Sequence, residues 1–145
     1  MSRSLAATLQ AEGGLLAGAL ADDSDPAPSA PAARAAAGPR SSGHAGEVEL
    51  LVEAIHEAYL LHYDRGRTVR RLDEDLALLA GDRLYALGLD RLARLGDLVS
   101  VAALAEVIAE CAQAHAAGDL DRARAAWVAG ADTVGWGMDE PGLTP

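Results

Sequence analysis

The chain has 145 residues, half of them apolar, but only two Trp and three Tyr are aromatic and there is no Phe. The length therefore suits one domain, and its core must be aliphatic. All 12 basic residues are Arg, set against 22 acids for a net charge of -10, which excludes a broad attraction to nucleic-acid phosphates or anionic lipid.

At the amino terminus, SLAATLQAEGGLLAGALA is apolar, but Gln10 and Glu12 interrupt it. Residues 1–21 therefore read as a weak helix or a disordered leader rather than a secretory signal. Residues 22–46 hold four of the six prolines and four serines among many alanines, with no apolar period. That composition predicts a disordered linker. Residues 1–46 carry three Arg against four acids, whereas residues 47–145 carry nine against eighteen, so the acidity lies with the segment expected to fold.

From Glu47 the pattern becomes helical. Val48, Leu51, Val52, Ile55, Tyr59 and His62 recur at spacings of three and four and predict one buried stripe. Gly66 is a natural helix end and Asp73 an N-cap. A second helix, about Glu74 to Leu95, is rich enough in leucine around its girth to be the central one. Gly96-Asp97 and Gly118-Asp119 each read as a glycine terminator followed by a capping aspartate, bounding a helix to His115 and a shorter one carrying Leu120, Ala123, Trp127 and Val128. Nothing alternates with period two. The expected fold is all-α, a bundle of about four helices in antiparallel succession over residues 47–137, followed by a flexible tail at 138–145. No uninterrupted apolar run approaches the roughly 18 residues of a spanning helix, so no transmembrane segment is expected and the expected location is cytoplasmic.

Chemical motifs are sparse. There is no Lys for a phosphate loop and no Gly-x-Ser-x-Gly elbow. Glu53 and His56 have the spacing of a di-iron helix, but the second Glu-x-x-His such a site needs is missing, leaving a helix-face pair as the expectation. The lone cysteine, Cys111, excludes a disulfide framework or a cysteine zinc site, and in an alanine-rich stripe it reads as core rather than as a thiolate partner of His115. Four Arg crowd into DRGRTVRR, residues 64–71. Arg65, Arg67 and Arg70 are candidates to fork onto a diphosphate, although Asp64 and residues 73–75 offer neutralising partners.

The order IHEAYLLHYD, DRGRTV, ALLAGDRLYA within residues 49–97 resembles the middle of trans-isoprenyl diphosphate synthases. In that family a His-x3-Leu-Leu-His helix enters an aspartate-rich motif, an Arg loop follows, and a Leu-Ala-Gly-Asp helix comes next. The resemblance implies a helical framework, diphosphate contacts at Arg65 and Arg67, and a helix-packing role for Gly81 and Asp82. It does not extend to catalysis. Only Tyr63-Asp64 stands where the first aspartate-rich motif belongs, and no second motif follows, so no catalytic residue or metal ligand is assigned. Magnesium is expected only if a diphosphate ligand brings it. The resemblance thus implies a non-catalytic accessory or regulatory subunit, or a prenyl-lipid-binding relative. Its partner would be a full-length prenyl diphosphate synthase or a second copy, through an interface including Leu84, Leu87 and Trp127. An alternative rests on HAAGDLDRARAAWVAGADT, residues 115–133, which looks like one tetratricopeptide junction and would make the chain a protein-binding adaptor.

Overall fold

The computed structural model of the protein describes residues 4–20, 26–70 and 73–137. Among these residues the chain is all-α and contains no strand. Its helices are α1 Leu5–Glu12, α2 Gly14–Gly18, α3 Ala30–Ala37, a 3-10 turn Pro39–Ser41, α4 Ala45–Tyr63, α5 Glu74–Leu95, α6 Leu98–Ala116 and α7 Leu120–Trp136. The tail at 138–145, Arg71 and residues 22–25 of the expected linker lie outside the described residues.

From α5 onward, the caps fall where the sequence places them. Asp73, Asp97 and Asp119 accept the main-chain N–H of Leu76, Ser100 and Arg122. Gly96 and Gly118, with φ of 68° and 72°, supply the left-handed residues between helices. Gly66 has a different role from the one expected. Helix α4 closes at Tyr63, and Gly66 is needed because a Cβ there would collide with the Glu57 carboxylate and the Val69 carbonyl.

The expected linker is a second departure. Residues 30–41 form α3 and the 3-10 turn, with Ala32 and Ala35 wholly buried. Ser29 caps α3 by accepting from Ala32 N–H, and Pro31 sits in its first turn. The low hydrophobicity misleads because small side chains work here by proximity: Gly38 and Gly135 pack backbone to backbone, leaving no room for a Cβ at Gly38. Arg40 then closes the segment onto the bundle, donating to the Val134 carbonyl at 2.8 Å and to Asp97 at 2.7 Å. Burial pushes the Asp97 carboxyl up, but bonds from Arg40 and Ser100 outweigh it and hold the group below its ordinary range.

The central helix is α4, not α5. Ten α4 residues are buried, including Leu51, Val52, Ile55 and Leu61, whereas α5 leaves Leu78, Leu79 and Leu89 exposed. The reason is the residues α5 turns inward. Gly81 fits against His62 and Gly88 against Ile55, so the α4 and α5 backbones come close through small residues and the large leucines stay outside. Nor do the helices pack in simple antiparallel succession. Helix α4 pairs with α5 and α6 with α7, α3 bridges α4 to α7, and α5 scarcely touches α6. One core gathers side chains of α3 to α7, while a second joins α1 and α2 to α4, Val69 and the first half of α5. Helix α6 alone among the described helices is long and apolar enough to cross a membrane, yet Leu104, Val107, Cys111 and Ala114 on it are buried in the first core.

Candidate functional site

The arginine turn is organised by buried acids. Glu57 is wholly inaccessible to solvent, and its carboxylate accepts the main-chain N–H of Arg67 at 3.0 Å and those of Thr68 and Val69 at 2.9 Å. Successive amides that converge in this way form an anion nest, and here the anion is the chain's own. One turn earlier, Glu53 accepts Ser29 N–H at 2.7 Å and the Arg67 guanidinium at 3.3 Å. Burial pushes the Glu53 carboxyl above its ordinary range, against the lowering by Ser29 and Arg67.

These contacts place the candidate diphosphate residues. Arg67 also donates to the Ala27 carbonyl, Arg70 donates to the Gly18 carbonyl at 3.0 Å, and Arg65 is exposed. The guanidinium groups of Arg67 and Arg70 thus have separate intramolecular acceptors. No group of three or more His, Cys, Asp or Glu able to seat a metal forms among the described residues. On α5, Gly81 packs under the His62 ring and the Asp82 carboxylate lies 3.2 Å from His62 Nε2. Leu84 is fully buried in the second core, Leu87 packs at its edge, and Trp127 belongs to the first core. The residues named for an interface are therefore largely enclosed by this chain's own packing.

The pairs read from helix spacing also separate. Glu53 and His56 do not bond to each other: the acid turns to Ser29 and Arg67, and the imidazole meets Trp127 edge-on at 4.9 Å. Cys111 is buried against the Ala123 carbonyl, and desolvation, with Glu110 adding, pushes its thiol up to about 11. A thiol in that state is an inert core residue at neutral pH. His115 instead bonds Tyr59 Oη at 2.8 Å and stacks on Tyr63 with ring centroids 4.1 Å apart. Burial raises the Tyr59 phenol, so it stays protonated.

Those rings wall a cleft of about 490 Å³ where α4 meets the end of α6 and the start of α7. His56, Tyr59 and Tyr63 come from one face of α4, at spacings of three and four; His115 and Trp127 close the other side. Asp64 and Arg124 carry charge at this site, and Leu60, Leu120 and Val128 add apolar surface. His56 is neutral, because burial first and the nearby Arg67 second lower its pKa to about 4. Its Nδ1 and Trp127 Nε1 are buried and have no hydrogen-bond partner among the described residues. The cleft therefore combines aromatic walls with a few polar groups, the composition of a small-molecule site. Of the α4 rings, sequence spacing places only Tyr59 in the buried stripe, together with His62 rather than His56 or Tyr63; the tertiary arrangement of His115 and Trp127 creates the cavity.

No family model, curated protein or solved structure matches this chain.

Proposed function

We propose that the protein is a non-catalytic binding protein whose aromatic cleft takes a small, largely apolar ligand, of isoprenoid class if the resemblance of residues 49–97 reflects ancestry. The observation that carries this reading is the set of five rings, His56, Tyr59, Tyr63, His115 and Trp127, around one cavity of about 490 Å³. That volume lies within the roughly 300–1,000 Å³ of typical small-molecule sites. The saturated acids of the arginine turn and the inert Cys111 favour binding over covalent chemistry.

Tryptophan fluorescence titrated with farnesol and with farnesyl diphosphate tests the reading. Farnesol binding that weakens at least tenfold in Tyr63→Ala supports it; Tyr63 is 41% exposed, so the variant should fold. Diphosphate binding lost in the Arg65→Ala/Arg67→Ala double variant would move the site to the turn. Binding of neither ligand would end the proposal. The leucines exposed on α5, Leu78, Leu79 and Leu89, favour a second reading, an accessory subunit docking on a full-length prenyl diphosphate synthase. It requires co-purification that Leu79→Asp abolishes.

A further inference from the structure

The aromatic cleft has a neighbour, a second cavity of about 410 Å³ where α3 meets α7. Pro31, Trp127 and Val128 line both, whereas Ala30, Arg34 and Asp132 line only the second. The shared residues come from two helices: Pro31 from the first turn of α3, and Trp127 and Val128 from α7. Trp127 is nearly buried and Val128 is 63% exposed, so on α7 the shared stretch runs from the core out to the surface. All three are apolar in character. Charge lies outside this overlap, at Asp64 and Arg124 in the first cavity and at Arg34 and Asp132 in the second. Both cations are already answered: Arg124 by Asp121 at 3.3 Å, and Arg34 by Asp132 at 2.7 Å, with its guanidinium 4.0 Å over the Trp136 ring. A ligand passing from one cavity to the other meets no charge at the junction and needs no anionic head at either end.

We infer that the two cavities form one trough for an elongated, uncharged aliphatic chain, which crosses from the aromatic cleft to the α3–α7 seam past Trp127, between Pro31 and Val128. The inference rests on the ligand-binding reading above and deepens it by assigning the ligand's shape and the second half of its site. Affinity in such a trough grows with chain length, by about fourfold for each methylene that leaves water for apolar surface. The two halves are separable by substitution. Tyr63 lines only the aromatic cleft, and Ala30, exposed at the start of α3, lines only the seam cavity.

The experiment compares 1-octanol and 1-dodecanol by calorimetric titration against the natural protein, Ala30→Phe and Tyr63→Ala. Dodecanol should bind the natural protein more tightly than octanol by about tenfold or more, up to the roughly 200-fold that four fully buried methylenes would give. Ala30→Phe, which fills the seam cavity, should reduce that advantage to about threefold or less while octanol affinity stays unchanged. Tyr63→Ala should weaken both alcohols. Equal affinity of the two alcohols for the natural protein overturns the inference while leaving the aromatic cleft as an apolar-ligand site; binding of neither alcohol, nor of farnesol, overturns both. A dodecanol advantage that survives Ala30→Phe places the whole chain in the first cavity and overturns the inference, as does dodecanol binding that is insensitive to Tyr63→Ala. Should Ala30→Phe lower the unfolding midpoint, the smaller Ala30→Leu decides by the same criterion.

Discussion

Helix α4 serves two neighbourhoods that look equally chemical but differ in what is left over. On one side, Glu53 and Glu57 meet the turn at 64–70, where every carboxylate contact is answered by an amide or a guanidinium from this chain. On another, His56, Tyr59 and Tyr63 line a cavity of about 490 Å³ closed by His115 and Trp127. The turn is the denser in charge, yet its carboxylates have their interactions committed to the fold. The cleft has fewer charges and an open volume lined by aromatic rings. For a binding function, unfilled space is the better guide, because a ligand needs a concave, largely apolar volume to occupy.

The sharpest way to break this contrast is to remove the acid that fills the nest. Glu57→Ala leaves three main-chain N–H groups without an acceptor, two of them on buried residues, and opens space beneath Gly66. Each buried donor left unsatisfied costs about 1–3 kcal/mol, so a loss of about 2–6 kcal/mol is expected, and the urea midpoint should fall accordingly. A loss below about 1 kcal/mol would mean that the turn does not depend on its internal anion, and the two regions would no longer differ in kind.

The cleft side should reveal itself through pH. His56 has a folded pKa of about 4 against 6.5 for the free side chain. Between those values the unfolded chain binds the proton and the folded one does not, so stability falls as the pH drops from 6.5 towards 4 and is fully kept above that window. The shift corresponds to at most about 3 kcal/mol, less to the extent that water reaches the ring. Glu53 acts in the opposite direction: with its carboxyl raised, it favours the folded state on acidification. The measurement is therefore the difference in unfolding free energy between the natural protein and His56→Phe from pH 7 to 4. A difference that stays constant over that range would show that the imidazole is already well solvated.

Much of the helical outline was legible because caps are local. Asp73, Gly96-Asp97 and Gly118-Asp119 act within three or four residues of themselves, so their meaning survives without tertiary knowledge. The interior acids were not legible. Glu53 is answered by Ser29, 24 positions away, and Glu57 by amides 10 to 12 positions ahead, distances over which no periodicity speaks. Without those partners, a glutamate on a helix reads as a solvated face. Helix α3 was missed for a related reason, since alanine and glycine bury little area but allow backbones to touch, and hydrophobic patterning weighs area alone. Little of the cleft was legible: of its rings only Tyr59 belongs to the stripe the spacing marks, and Trp127 and His115 come to it from α7 and α6.

The smallest effects fall within the turn itself, where two neighbouring arginines separate structure from recognition. Arg67 pairs with Glu53 and the Ala27 carbonyl, so Arg67→Ala leaves a largely buried acid short of a partner and loosens the approach to α3. A loss of about 1–2 kcal/mol is expected, in line with a charged hydrogen bond at a partly buried site. Arg65, two residues away, is exposed, and Arg65→Ala should change stability by no more than about 0.5 kcal/mol. A turn that served a diphosphate would behave otherwise, because an exposed guanidinium with little structural role is the one most available to a phosphate. Calorimetric titration of inorganic diphosphate against the two single variants makes the distinction. If Arg65→Ala removes measurable binding while leaving the unfolding midpoint unchanged, the turn holds a recognition site in addition to its internal one; if binding is absent throughout, its arginines serve the fold.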